Sequence, residues 1–268
     1  MIGNYADLLN HSFDYSTGIP KVIYRTGRYK LNELPDEVLA LYERELAENP
    51  EYTLFYFDDE DCEKLIADTM DAEVLKSYQT LIPSAFKADL WRYVVLYVYG
   101  GVYIDFTMHT LVPYNDIVKH YRRQIYVRDA CDICGVYNAF MATIPESELL
   151  KKAIEQVCEN VAKRKKGVGA LDVTGPTMLG RIFKNKLSLN FYDWIPIGNI
   201  RNDLYMYANP ENKYIQDEFG NRIIKNRLDK HYELTYNVKN ANLVQGNVQI
   251  MPMDHYSRLW AEDRVFAQ

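Results

Sequence analysis

Four cysteines, no surplus of basic residues and no long apolar run remove several function classes before any motif is read. Lys and Arg number 31 against 37 Asp and Glu, giving a net charge of −6. A general nucleic-acid binder needs a basic face to displace counterions, so that class is excluded. The most apolar stretch, Leu90 to Ile104, is interrupted by Arg92 and by Gly100-Gly101 and is too short to span a bilayer. The first sixteen residues, MIGNYADLLNHSFDYS, have neither the basic start nor the apolar centre of a signal peptide. A cytoplasmic protein is therefore expected, with peripheral membrane association left open. Cys131 and Cys134 have the spacing of half a zinc site, but no second pair follows. With Cys62 and Cys158 they read as reduced, buried thiols. The N-terminal region also lacks a glycine-rich phosphate loop, which ranks a nucleotidyltransferase last.

The residues that are present alternate between strand and helix. Pro20 to Tyr24 reads as a first strand, Pro35 to Asn49 as an amphipathic helix and Tyr52 to Phe57 as an aromatic strand. Asp58-Asp59-Glu60-Asp61 then opens a short helix, where acids favour the positive end of the helix dipole. Ser84 is expected to cap a helix running to about Tyr99, which Gly100 ends before Val102 to Asp105 resumes as a strand. Downstream, Gln124 to Arg128 and Asn138 to Thr143 read as strands. Ser147 to Lys166 reads as a long helix with a solvated basic end, Lys163 to Lys166. Residues after Gly180 are less regular and carry the basic extended stretch Asn221 to Arg227. This alternation predicts an α/β sheet. Ligands in such sheets sit beyond the carboxyl ends of strands, where Asp105 falls. Tyrosine is abundant, at 23, which suits either half-buried clefts or a strand-rich core.

Asp89 and Arg92 are three residues apart and share a face of an otherwise apolar helix. Such charges are costly unless paired or used. They read either as an internal salt bridge or as a polar hand reaching into a cleft. The Gly100-Gly101 strand that follows favours the cleft, because it brings the helix end close to Asp105.

Ala88-Asp89-Leu90-Trp91-Arg92-Tyr93 followed by Gly100-Gly101-Val102-Tyr103-Ile104-Asp105-Phe106-Thr107 resembles the sugar-binding region of the DXD glycosyltransferases, and glycosyltransferase family 32 most closely. Further agreement lies in Ile19 to Tyr24, Asn49-Pro50-Glu51-Tyr52, Asn138 to Ala142 with Pro145, Thr174-Gly175-Pro176, and His255-Tyr256 with Trp260. The resemblance implies one GT-A domain over residues 1–268, with a nucleotide-sugar core at 19–180 and an acceptor and lid region at 181–268. It implies a retaining glycosyltransferase. The enzyme would move a hexose or N-acetylhexosamine from a UDP-sugar, or from GDP-mannose, to a glycan or lipid-linked oligosaccharide, as in polysaccharide or capsule synthesis.

By the same resemblance, Asp89, Arg92, Asp105 and Asn138 form the catalytic set. Tyr24, Asp89, Arg92, Tyr103, Ile104, Asp105 and Trp260 bind the donor, and His255 or Trp260 reaches the pyrophosphate. A Mn²⁺ or Mg²⁺ ion is implied, since these cations take oxygen ligands and bridge phosphates to carboxylates. Two departures matter. Thr107 stands where the family places its second acid, so Asp105 and Thr107 would hold the metal with His255, or alternatively with His109. Tyr24 and Gly27 stand where family members often carry His and Trp, so Tyr29 or another aromatic would stack on the base. The alternative to an enzyme is a degenerate, non-catalytic protein that binds nucleotide-sugars or glycans.

Overall fold

The computed structural model describes residues 2–106, 108–119, 123–128, 135–186, 205–206, 214–216, 221–225 and 255–268. Thr107, Cys131 and Cys134 lie outside the described residues, as does most of the irregular region from 187 to 254.

Among the described residues, ten strands form one mixed sheet: β1 (Ile2–Gly3), β2 (Val22–Thr26), β3 (Thr53–Phe57), β4 (Gly101–Ile104), β5 (His109–Thr110), β6 (Gln124–Arg128), β7 (Val136–Thr143), β8 (Tyr205–Met206), β9 (Tyr214–Gln216) and β10 (Arg222–Lys225). Their spatial order is β1-β3-β2-β4-β7-β6-β8-β9-β10-β5. The first four in that order are mutually parallel, and β7 then pairs antiparallel with β4. The helices are α1 (Tyr5–Leu9), α2 (Asp36–Glu48), α3 (Asp59–Thr69), α4 (Ala72–Thr80), α5 (Ser84–Tyr99), α6 (Tyr114–Val118), α7 (Glu148–Ala162), α8 (Pro176–Lys186) and α9 (Tyr256–Ala261).

The α/β class expected from the sequence is present, with several local differences. Ahead of the first expected strand, β1 pairs with β3 and α1 buries Tyr5 and Leu8 beside it. Asp58 caps α3 by accepting from the Asp61 N–H at 2.9 Å, as the acidic run suggested. Ser84 does not cap α5: Pro83 holds the cap position, and no side chain bonds there. The long helix ends at Ala162, four residues early, and Arg164 turns the chain with φ 48°. Cys62 and Cys158 are free and buried, as expected. No described helix is long and apolar enough to cross a membrane.

Strand alternation decides what each face of the central sheet meets. Tyr24 lies opposite Tyr103 in the β2–β4 register, and Phe57 lies opposite Thr26 in the β2–β3 register. These three aromatic residues share the face covered by α5, where Phe57 meets Trp91 with ring centroids 4.8 Å apart. Arg25 and Tyr56 point to the other face, where Tyr56 meets Tyr42 of α2. Tyr24 is fully buried, so it belongs to the core. The donor contact expected of Tyr24 falls on a ring that its register fixes between strand and helix. The Ile104 side chain, also expected at the donor, is likewise fully buried.

Two glycines make the turn from α5 into β4. Gly100 takes φ +65° and Gly101 φ +105°, a region that disfavours L side chains. A Cβ on Gly101 would meet the Val22 carbonyl oxygen at 2.8 Å and the Tyr24 ring at 2.9 Å. Gly101→Ala is therefore expected to cost about 1–3 kcal/mol. Urea denaturation measures it, and a loss below about 0.5 kcal/mol would contradict this account of the turn.

Candidate active site

The site forms where the parallel block meets the antiparallel one. The β4–β7 register pairs Ile104 with Phe140, and the ladder continues as the Asp105 N–H donates to the Ala139 carbonyl at 2.9 Å. Asp105 is the first residue past β4, and Asn138 on β7 comes up beside it. Helix α5 lies over this junction and supplies Asp89 and Arg92.

Arg92 joins the three elements. Its Nη1 lies 3.2 Å from Asp105 Oδ1 and donates to the Asn138 carbonyl at 2.8 Å. Nη2 lies 3.5 Å from Asp89 Oδ1, and Nε donates to the Ala88 carbonyl at 3.1 Å. The guanidinium sits 4.4 Å above the centre of the Tyr103 ring. Burial alone would lower the Arg92 pKa, but Tyr103, Asp105 and Asp89 outweigh it and hold the group charged.

Asp89 is buried and fully engaged. Its Oδ1 accepts from Asn138 Nδ2 at 2.8 Å and its Oδ2 from Thr174 Oγ1 at 2.7 Å. Asn138 Nδ2 also donates to the Tyr93 hydroxyl, which in turn donates to the Thr174 carbonyl at 2.7 Å. Desolvation raises the Asp89 pKa above the ordinary value, against the lowering influence of Arg92, Thr174 and Asn138. A Cβ on Gly175 would stand 3.2 Å from Asp89 Oδ2, so the glycine after Thr174 gives the carboxylate room.

Asp105 differs from its neighbours in being open. Its side chain is 40% exposed, against 12% for Asp89 and 7% for Arg92. The Tyr103 hydroxyl donates to Oδ1 at 2.6 Å, the same oxygen that faces Arg92. Oδ2 is thereby left for a ligand.

The structure thus gathers four of the expected residues, Asp89, Arg92, Asp105 and Asn138, into one network. Tyr103, expected to bind the donor, is 1% exposed and holds Asp105 by its hydroxyl and Arg92 by its ring, so it supports the site from beneath. Trp260 and His255 belong to the α9 segment. The Trp260 indole N–H donates to the Lys166 carbonyl at 2.9 Å, and the Lys166 ammonium lies 5.1 Å over its ring and 3.1 Å from Asp263. Lys166 is therefore part of a docking contact, and the solvated basic end expected there shortens accordingly. His255 accepts from the Ser257 N–H through Nδ1 at 3.3 Å and stacks on Tyr256, which packs against Phe86 of α5.

Tyr93 and Thr174 are the participants that the sequence reading missed. Both stand inside motifs named above, and only the fold reveals that the Thr174 hydroxyl donates to Asp89 while the Tyr93 hydroxyl links Asn138 to the Thr174 carbonyl. Tyr29, the stand-in expected for a base-stacking ring, lies against Phe106 with centroids 6.2 Å apart and planes 29° off parallel. Both rings are only partly buried.

Among the described residues, no three His, Cys, Asp or Glu side chains converge as a metal cage. One open carboxylate oxygen fits a divalent cation that takes its other ligands from phosphates and water.

Residues 35–124 match the family model "Glycosyltransferase sugar-binding region containing DXD motif". That match covers 90 of the 268 residues. The matched segment holds Asp89, Arg92, Tyr103 and Asp105, while Asn138 and Thr174 lie beyond it. An initiation-specific alpha-1,6-mannosyltransferase of Candida albicans is 30% identical over 112 residues, covering 40% of this chain and 29% of that protein. Inositol phosphoceramide mannosyltransferase 3 of Schizosaccharomyces pombe is 33% identical over 101 residues, covering 37% of this chain and 28% of that protein. The chain thus matches under a third of the length of these two relatives. A solved structure, PaToxG glycosyltransferase, aligns at 15% identity with a TM-score of 0.48, over 63% of this chain and 70% of that one. The mixed sheet flanked by helices is an α/β fold.

Asp89 gives a direct check of the network. Its carboxyl is expected to titrate above the ordinary aspartate value of about 3.9. A folded-state pKa above the unfolded one means that protonation stabilises the fold. That contribution is full below the unfolded value and is lost as pH rises through the folded one. Thr174→Val, which removes a hydrogen bond to the charged form, is expected to raise the value further. Carboxyl-carbon NMR follows both; an Asp89 midpoint at or below the ordinary value would contradict the arrangement.

Proposed function

We propose that this chain is a retaining glycosyltransferase. It transfers a hexosyl group from a nucleoside-diphosphate sugar to a hydroxyl of a glycan or lipid-linked saccharide. The observation that carries the reading is the convergence of Asp89, Arg92 and Asp105 at the end of β4, with Asp105 alone open to a ligand. Both of these relatives are named as mannosyltransferases, which favours a mannosyl donor such as GDP-mannose over the UDP-sugar that the resemblance first implied.

In this reading the bond from the anomeric carbon to the diphosphate oxygen breaks as the acceptor oxygen bonds to that carbon on the same face. The acceptor hydroxyl proton passes to the departing diphosphate. Negative charge gathers on the leaving group and must be met by fixed positive charge or donors. Arg92 supplies a guanidinium already oriented by five protein contacts, so little reorganisation is needed at the moment of transfer. Asp89, buried and hydrogen-bonded on both oxygens, holds Arg92 and Asn138 and has no free oxygen to act as a nucleophile. That supports same-face attack without a glycosyl-enzyme intermediate. Asp105 Oδ2, with Thr107 nearby in sequence, would hold Mn²⁺ or Mg²⁺, which would supply further positive charge at the diphosphate.

The test is a donor panel of GDP-mannose, UDP-glucose and UDP-N-acetylglucosamine, each with MnCl₂ and with EDTA, read by thermal shift and by release of free sugar. One donor is expected to stabilise the protein and to be hydrolysed slowly. Asp105→Asn is expected to lower that turnover on the order of 10²-fold. Stabilisation without any sugar release would favour the non-catalytic binding protein. No response to any donor would remove the donor site altogether.

A further inference from the structure

A second guanidinium grips the same loop from the opposite face of the sheet. Arg25 of β2 is fully buried, although a strand arginine is ordinarily a solvated residue. Its Nη1 donates to the main-chain carbonyls of Asp105 at 2.8 Å, Met108 at 2.9 Å and, more weakly, Phe106 at 3.4 Å. Its Nη2 makes a bidentate pair with Glu45 of α2 at 2.8 and 2.6 Å. Around the pair, the Tyr114 hydroxyl donates to Glu45 at 2.6 Å, and the Tyr42 hydroxyl donates to the Phe106 carbonyl at 2.8 Å. The guanidinium also lies 4.6 Å from the centre of the Tyr42 ring.

The placing of these contacts is informative. The carbonyls that Arg25 collects belong to the segment that leaves β4 and presents Asp105. The Asp105 side chain is held on the α5 face by Arg92 and Tyr103, while its carbonyl is held on the α2 face by Arg25. Arg25 touches no part of the open Oδ2 and makes no contact with Arg92. It can influence a ligand only by fixing where Asp105 stands.

We infer that Arg25, set by Glu45, is a positioning residue that holds the Asp105 loop in its donor-binding geometry; the inference rests on the glycosyltransferase reading above. The chemistry suits the task. Five N–H donors in a rigid plane can hold several carbonyls at once, and a lysine cannot copy that fork. A displacement of about 1 Å at a ligand-binding carboxylate is worth up to about 100-fold in rate.

The test is a double-mutant cycle on donor affinity, measured by isothermal titration calorimetry with GDP-mannose and MnCl₂ and, in parallel, with UDP-glucose and MnCl₂. Arg25→Lys is expected to weaken binding about 10-fold or more in the wild-type background and less than about twofold in the Asp105→Asn background. A role confined to stability would give equal losses in both backgrounds, and that result overturns the inference while leaving the donor site intact. Tyr42→Phe removes the hydroxyl's bond to the Phe106 carbonyl while keeping the ring against the guanidinium and the Arg25 and Glu45 side chains themselves, and it carries the same cycle if Arg25→Lys does not fold. If the wild-type chain binds neither donor, or if Asp105→Asn binds as well as wild type, the donor reading itself fails and the positioning role fails with it.

Discussion

The Arg92 guanidinium is the constraint on which the rest of the site depends. It is the one group that touches α5, the end of β4 and the end of β7 together. A buried cation of this kind is tolerable only when nearly all of its donors and its face are satisfied. Here two carboxylates, two carbonyls and an aromatic face meet that demand. The helix, the two strands and the positive charge therefore cannot be arranged independently of one another. What leaves the network unsaturated is the outer oxygen of Asp105, and that is where the chemistry of a sugar donor can enter.

The surrounding hydrogen bonds divide into a closed part and an open part. Asp89, Asn138, Tyr93 and Thr174 satisfy one another in a ring beneath the surface. Such a ring fixes orientation, because a half-satisfied buried network costs more than an apolar core would. Asp105 stands at its rim, braced by Tyr103 and half exposed. This division explains how two aspartates sixteen residues apart in sequence can have different roles. One spends its charge on structure and is pushed toward protonation by burial, while the other keeps an oxygen for the ligand.

The larger elements were legible because their signals were long and periodic. Val38 and Tyr42 of α2, the aromatic run of β3 and the double glycine after α5 all stand where their patterns place them. Helix α1 and strand β1 were not legible: five and two residues carry no period to read. In α4 a buried serine, Ser77, breaks the apolar pattern. The convergence of Asp89, Arg92, Asp105 and Asn138 could be expected from the family pattern, since each falls in a spaced motif. The roles of Tyr24 and Tyr103 could not, because a tyrosine's sequence position does not say whether its hydroxyl reaches solvent, a carboxylate or nothing. Strand register decides it, and register turned both rings toward α5. Arg25 was hidden for a similar reason. Its partner Glu45 lies on a helix whose acidic residues look solvated, and only packing brings the two together.

The central claim is geometric: an activated sugar is gripped between the open carboxylate of Asp105 and the fixed charge of Arg92. The most direct measurement is a crystal structure of the protein grown with GDP-mannose or UDP-glucose and MnCl₂. The account predicts electron density for the diphosphate and its cation at Asp105 Oδ2, with the sugar against Arg92. Nucleotide bound elsewhere on the chain, with Asp105 still facing open solvent, would contradict it.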